Sequence, residues 1–553
     1  MGSNFKFRWL LLLIAMTFMV FVGYGCDVSN NGNGCGWGDH NTDSTTDDST
    51  EAAADNSTDD GTNDTADDGT NGSTDETSDE ATNDTTDDGT TDSTDEATDN
   101  TTDDSSENDT EDSTDESDED EINGNIFYVD PVNGNMANDG SSEKPFRTLQ
   151  EVIENNLIET RSYTDLPYDG SNSFTVTNEG APIAAGDTII LRNGHHGELN
   201  LKGAYNETPI TIKVEDGHEA TLSHVSMTSV SNWTLEGVTV TPEAADVYEA
   251  NTLFNVVSNS YHGSSSNVTI KSCMLYSVID STSWSKSDWN DLSCNAINMS
   301  GDYMTAKDNY CLNVNFGITV SGDNGTVSGN TVENFAGDGM RGLGDDLLFE
   351  NNLIKNCYDV NDNHDDGFQS WSINDDPPRQ RVTLRGNTII NYEDPDQPFR
   401  GALQGIGCFD GDYIDWVVEN NLVITDHWHG ISFYGAYNCL IVNNTVVDTN
   451  DEEPGPPWIK INAHKDGTAS ENCVIRNNIA STISPSGDTV VDHNYLLQEE
   501  YEIFVDSSQN DYHLRPDATA LIDTGSSTDA PDTDKDGNAR PAGQGYDIGC
   551  YEQ

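Results

Sequence analysis

Positive charge is what this sequence has least of. Its 553 residues include 23 Lys and Arg against 100 Asp and Glu, a formal net charge of −77. Such a balance excludes nucleic acid and anionic membrane surfaces as electrostatic partners. Long apolar runs are nearly absent too: Trp9 to Val22, broken only by Thr17, stands alone. Cysteine is sparse and scattered, ten residues with no CxxC pair, so no zinc pattern is present. Cys26 and Cys35 lie near the start, while Cys273, Cys311, Cys357, Cys439 and Cys473 each sit beside one copy of a recurring asparagine phrase. One cysteine per repeat reads as a small buried hydrophobe more readily than as half of a bridge. Residues 41–121 lack both basic and aromatic side chains. They hold 33 acidic residues among Thr, Ser, Asn, Gly and Ala. Nothing there offsets chain entropy by burial, so the segment is expected to be a disordered, self-repelling stalk.

What remains divides the chain into three. Residues 1–25 carry Lys6 and Arg8, then the apolar run, then Gly23 and Gly25. This is the layout of an export signal, too short for a comfortable transmembrane span. Gly-Tyr-Gly-Cys26 resembles a bacterial lipoprotein cleavage site, which implies lipidation of Cys26 and attachment to a membrane only through that lipid. An ordinary signal followed by a free cysteine is the alternative. Residues 26–121 form the linker. Residues 122–553 form the folded domain, expected to be exported (surface-held or extracellular) and monomeric. That domain still has 65 acidic against 21 basic residues, a net charge of −44.

Within it a short phrase recurs: Phe316-Gly-Ile-Thr-Val320, Asp338-Gly-Met-Arg-Gly342, Asp366-Gly-Phe-Gln-Ser370, Gln404-Gly-Ile-Gly-Cys408 and His429-Gly-Ile-Ser-Phe433. Trp458-Ile-Lys-Ile461 is a sixth copy without its glycine. Alternating with these is a second phrase centred on Asn309, Asn330, Asn352, Asn387, Asn421, Asn444 and Asn478. Short strand units repeating at such spacing indicate a solenoid, in which like residues stack from coil to coil. Stacked asparagines can bond amide to amide along the axis. Residues 142–153 have the apolar spacing of a short helix that caps the open end.

Stacking turns the repeat into a map. Strand alternation places Ile318, Met340, Phe368, Ile406, Ile431 and Ile459 inside. The next residues then point outward: Thr319, Arg341, Gln369, Gly407, Ser432 and Lys460. A second outward column follows two positions on: Ser321, Leu343, Trp371, Phe409, Tyr434 and Asn462. Rungs about 4.8 Å apart match the length of a sugar residue. Cationic and polar groups beside an aromatic strip suit a linear acidic polysaccharide, with Gln369, Trp371, Phe409, Tyr434 and Ser432 as contacts. At the strand entrances Asp338, Asp365 and Asp366 gather beside His364. Clustered carboxylates of this kind suit calcium.

The opening Tyr128-Val-Asp-Pro, the run Lys144-Pro-Phe-Arg-Thr-Leu149, the Asn-Asn turns and the ending Asp547-Ile-Gly-Cys-Tyr-Glu552 resemble the right-handed parallel β-helix proteins of pectin-lyase-like fold. The resemblance covers roughly 125–553 and implies an all-β solenoid acting on carbohydrate. Asp338-Gly followed one coil later by Asn363-His-Asp-Asp-Gly367 is similar to the calcium-binding part of one pectate lyase family. In that family an Asp-Gly and an Asp-Asp-Gly supply ligands and a lysine is the base. Its further acidic ligand falls here at Gln369.

The resemblance therefore implies a polysaccharide lyase working by calcium-assisted β-elimination on a uronate polymer. Asp338, Asp365 and Asp366 are expected to hold the cation. Arg341 and Arg400 are expected at the substrate carboxylate, and Lys460 or His429, with His364 behind them, as the base. Three alternatives stay open: a mannuronan-type C5-epimerase, faintly suggested by Asn363-His364-Asp365; an inverting hydrolase using paired carboxyls; and a non-catalytic binder on a stalk. Asp532-x-Asp534-x-Asp536-Gly537 is similar to a calcium loop but lacks an acid at its twelfth position, where Gly543 stands, and reads as a turn.

Overall fold

A computed structural model describes residues 124–553 apart from 373–376, 449, 451–452 and 499–501. The signal segment, Cys26 and the acidic linker lie outside the described residues. The domain is a parallel β-helix. Each coil contributes one short strand to each of three faces, and each strand pairs in parallel with its equivalent in the next coil. One coil runs Ile318–Ser321 on the first face, Thr326–Ser328 on the second and Thr331–Phe335 on the third. The next begins at Met340–Gly342. Near the start of the solenoid the long strands Leu199–Val214 and Val225–Glu236 each bend from the first face onto the second.

The register of the first face is the expected one. Ile318, Met340, Phe368, Ile406, Ile431 and Ile459 form one column of partners, all buried. Two details differ. A bulge at the end of the Gln404–Asp410 strand sets Trp371 opposite Asp410 instead of Phe409. A second register shift lies between His429 and Ile431, where the glycine-free sixth copy pairs Trp458 with His429 and skips Gly430.

Both recurring phrases have a steric or hydrogen-bonding cause. The glycine follows the corner that leads from the third face to the first, where coils approach closely. A Cβ on Gly317 would lie 2.1 Å from the carbonyl oxygen of Gly339, and one on Gly405 would lie 2.2 Å from that of Gly430. The asparagines turn the corner from the second face to the third. The residue before each is left-handed: Asp308, Gly329, Asn351, Gly386, Asn420, Asn443 and Asn477 have φ between 52° and 66°. That conformation admits Gly, Asn and Asp most readily.

Each stacked asparagine then uses its whole amide. Its Oδ1 accepts the backbone N–H and an Nδ2 hydrogen of the preceding coil's asparagine, at 2.8–3.1 Å from Asn309 through to Asn494. The second Nδ2 hydrogen goes to a carbonyl of the coil before, as in Asn330 to Ala306 at 2.8 Å. All eight described cysteines are free and buried.

The N-terminal end is capped by the helix Leu149–Glu154, with Thr148 as its N-cap. The C-terminal segment does more than close the far end, because it runs back along the asparagine corner. Asn420 Nδ2 donates to Thr533 O at 2.7 Å, and Asn477 exchanges two 2.8 Å bonds with Ser526. A fully buried Arg540–Glu552 pair, 2.6 Å, fixes this strap. Asp534 accepts from the amides of Asp536 and Asn538, so the acidic loop there is a turn.

Asn387→Ala should leave the Asn352 amide groups without their acceptor inside the stack. We expect a loss of about 2–4 kcal/mol, read as a lowered urea midpoint. An unchanged midpoint would show that the ladder is decorative.

Candidate functional site

The site grows from the corner between the third and first faces and from the first-face strands that follow it. Burial, more than exposure, shapes its acidic part. Asp338 is 3 % exposed, Asp365 6 % and Asp366 0 %. Asp338 Oδ2 accepts from Arg341 Nε at 2.5 Å, and its Oδ1 accepts the amide of Asp366 at 3.0 Å. Asp366 Oδ2 accepts from Gln369 Nε2 at 3.1 Å, while its Oδ1 lies above Gly407, where a Cβ would come within 2.1 Å of it. Asp365 turns the other way, taking a 3.5 Å contact from the Cys357 thiol. Asp365 Oδ1 and Asp366 Oδ1 have no partner.

The expected calcium site is therefore not formed by this trio. Adjacent residues of an extended strand point to opposite sides, so Asp365 and Asp366 diverge, and both Asp338 oxygens are taken. Among the described residues no group of three His, Cys, Asp or Glu has a metal-holding arrangement. The donor set does not fit a resident calcium.

Burial instead moves the proton equilibria. Desolvation, then the neighbouring charge of Asp338, pushes Asp365 up to about 8. Burial with the charges of Asp338 and Asp365 holds Asp366 well above the carboxylate range. Burial also raises Asp338, with Arg341 opposing it. The trio thus holds protonated carboxyls at neutral pH beside one that Arg341 favours as a carboxylate.

Arg341 occupies the predicted outward position. Its guanidinium lies 3.6 Å from the Phe316 ring centroid and 5.5 Å from that of Trp371. Arg400 does not join it. Arg400 is exposed, bonds Pro395 O at 2.8 Å and stacks on Tyr392 within its own loop.

Further along the axis stands an aromatic and histidine cluster. Tyr434 and Phe409 pack edge to face at 5.3 Å, and Phe409 meets His429 at 4.7 Å. Lys460 Nζ lies 4.6 Å from the Trp458 ring centroid and 6.0 Å from that of Tyr434. No carboxylate among the described residues pairs with it. Ser432, expected to face substrate, is fully buried under this cluster. Its Oγ accepts Trp458 Nε1–H at 3.1 Å and sits 2.8 Å from His429 Nδ1. The indole only donates, so the serine hydrogen is free to go to His429 Nδ1, the arrangement in which the imidazole proton sits on Nε2. Burial, with the nearby His427 and Lys460, pulls His429 down to about 3, so it stays neutral.

Sequence reasoning missed His427 and Trp458 as members of this cluster. His427 Nδ1 accepts the amide of His429 at 3.0 Å, and burial lowers its pKa to about 4. It lines a cleft of about 350 Å³ together with Asp359, His364 and Asp365. Its lining takes one residue from each part of the site, Asp365 and His427. No motif announces His427, because its role comes from the fold of the corner before the strand. Trp289 belongs to a small helix, Lys286–Leu292, and Trp284 lies just before its N-cap, Ser285. Trp289 is buried and stacks on Tyr358 at 4.5 Å, bracing the wall of the cleft.

No family model matches the chain, and no curated protein matches it. Solved structures similar to it include pectate lyase Pel9A, 14% identical over 78% of this chain and 96% of that one, TM-score 0.42. Others are a rhamnogalacturonan lyase, 14% identical over 68% and 86%, TM-score 0.31, and the A-module of Azotobacter vinelandii mannuronan C-5 epimerase AlgE4, 12% identical over 56% and 91%, TM-score 0.29.

The raised Asp365 carries a stability signature. The unfolded carboxyl releases its proton near pH 4, whereas the folded one holds it to about 8. The stability it contributes is complete below pH 4 and is lost as pH climbs towards 8. The thermal midpoint should therefore fall across that window, and Asp365→Asn should flatten the fall and raise the midpoint by a few degrees at pH 8. A profile unchanged by the substitution would show that Asp365 ionises normally.

Proposed function

We propose that this protein is a carbohydrate-active enzyme that cleaves a linear, uronate-containing polysaccharide by β-elimination. The observation that carries the reading is Lys460: a groove-facing ammonium with no carboxylate partner among the described residues, set between two aromatic rings in a domain of net charge −44. An amine that no carboxylate pairs, set beside stacking platforms, suits a uronate ring that presents its C5 proton. Phe409, Tyr434 and Trp458 offer faces and edges to successive rings. Neutral His429, with its proton on Nε2, is a hydrogen-bond donor towards a substrate oxygen and not the base.

The chemistry then falls to two groups around one indole. Lys460 Nζ takes the C5 proton as the general base. The electron pair forms the C4–C5 double bond and the C4–oxygen bond breaks. His429 Nε2–H steadies charge on the departing oxygen, aided by a site already partly dry. Arg341, about 19 Å away by four rung spacings, serves a carboxylate several sugars along the chain.

A specific observation also supports an inverting hydrolase: Asp365 is held protonated to about 8 on the wall of the cleft, close to Asp338, whose ionised form Arg341 favours. Such hydrolysis uses one carboxyl as acid and a second as base, and Asp338, through its pairing with Arg341, is the candidate for the second.

The full chain should be incubated with polygalacturonate, alginate and glycosaminoglycans, with calcium and separately with chelator. Absorbance of unsaturated uronate ends and release of reducing ends are followed together. The expected result is a rise of both on one polymer, with kcat reduced about 10²–10⁴-fold in Lys460→Ala. Reducing ends without unsaturation, abolished in Asp365→Asn, would replace the elimination reading with hydrolysis. Neither signal on any polymer would sink both.

A further inference from the structure

The cleft of about 350 Å³ has a composition that the proposed elimination leaves unused. Its walls come from the segments that lead from the third face to the first in four successive coils, from Cys357 to Pro454. That is three rung spacings, about 14 Å. Asp359, Asp362 and Asp365 line it, and no Lys or Arg does. Asp365 is buried in the wall, and its Oδ1 has no hydrogen-bond partner. Asp359 is half-buried and forms no ion pair among the described residues.

The other titratable groups add little positive charge to the walls. His427 Nδ1 accepts the His429 amide at 3.0 Å, and burial keeps the ring neutral, so its hydrogen sits on Nε2. Lys286 acts on Asp365 from outside the lining, held over the Phe399 ring at 5.8 Å. The lip is fixed in place. Asn361 Nδ2 donates to Asn290 Oδ1 at 2.9 Å, and Asn290 Nδ2 donates to Val360 O at 3.3 Å, which ties it to the helix Lys286–Leu292.

We propose that this cleft is a subsite for an amino sugar carrying a free ammonium group. The inference deepens the proposed function by placing an amino sugar beside the uronate in its substrate, and it rests on that reading only for the ligand being a sugar. An ammonium has three donors and no acceptor, whereas a carboxylate only accepts. Asp359 and Asp362 offer charge-assisted bonds, and the unpartnered oxygen of Asp365 offers another acceptor. The charges of Asp338 and Asp359, which help to raise Asp365, are those that a bound cation offsets. The volume is that of a small-molecule site. A bare metal ion fits poorly, since no three acids, cysteines or histidines among the described residues are arranged to hold one. His427 stacks on His429 at 5.2 Å, so the cleft adjoins the aromatic cluster around Lys460.

The test uses the full chain with chelator present, slightly below neutral pH, where the amine is charged. Calorimetry compares three β-1,4-linked disaccharides of one skeleton: the glucosamine dimer, its N-acetylated form and cellobiose. Asp359→Asn removes a charge from the cleft. Asp365→Leu removes the unpartnered acceptor. Asp216→Asn removes a charge from an exposed turn several coils away.

The glucosamine dimer should bind about tenfold more tightly than the other two. Asp359→Asn and Asp365→Leu should each weaken it about tenfold, and Asp216→Asn should match the parent. Should Asp365→Leu fail to fold, Asp359→Asn alone decides. Equal affinity for the three disaccharides, no binding of the glucosamine dimer, no loss in Asp359→Asn, or the same loss in Asp216→Asn would overturn the subsite. If the preference for the amine holds while no polymer is cleaved, the subsite stands and the catalytic reading falls. Cleavage of a polymer without that preference means the reverse.

Discussion

The asparagine stack is the constraint on which the other features depend. A parallel solenoid must turn a buried corner once per coil, and each turn leaves amide groups inside. Here one side chain per coil answers both needs of that corner. Its oxygen takes two hydrogens from one neighbouring coil, and its nitrogen gives one to the other neighbour and one to a carbonyl. Nothing is left over. Because each asparagine accepts from the one before, coils cannot slip by a residue without breaking the column. That fixed register is why Ile318 meets Met340 and Arg341 meets Gln369 along the opposite edge of the coil. The groove is thus assembled by a corner that never touches substrate.

Given that frame, burial decides what the polar residues become. Carboxyls pressed into the corner before the first face lose water and hold their protons. Histidines pressed into the next corners lose water and shed theirs. Both shifts have the same origin, the cost of charge in a poorly solvated place. The outcome is a groove whose titratable groups are mostly neutral at neutral pH, in a domain that is otherwise strongly anionic. Arg341 and Lys460 are the cations left facing it.

Much of this was legible in the sequence. The inner column, the outward positions of Arg341, Gln369 and Lys460, and the asparagine ladder all follow from period and alternation, which are properties of the backbone. What was not legible depends on where one side chain leans. Ser432 holds an outward position yet disappears beneath His429 and Trp458. Asp365 and Asp366 are neighbours in sequence and so looked like partners, but alternation separates them. His427 had no repeat position, so nothing marked it. Resemblance to a calcium-binding phrase supplied residue types without the angle between them.

The axial spacing of the cations settles how the site must be divided. Four rungs separate Arg341 from Lys460, about 19 Å. Carboxyl pairs that act on one glycosidic bond stand about 5–9.5 Å apart, so no single bond lies within reach of both cations. On the proposed reading, one of them serves the reacting sugar and the other a sugar held further along. His429, Trp458 and Tyr434 surround Lys460 with donors and rings at 4.6–6.0 Å of the ammonium or of each other. Arg341 is already half-neutralised by Asp338. A guanidinium paired with a carboxylate keeps its charge and grips, whereas an amine without such a partner is able to act as a base. On the proposed elimination reading, the reacting sugar lies over Lys460, and Arg341 is a point of grip on a chain long enough to span both.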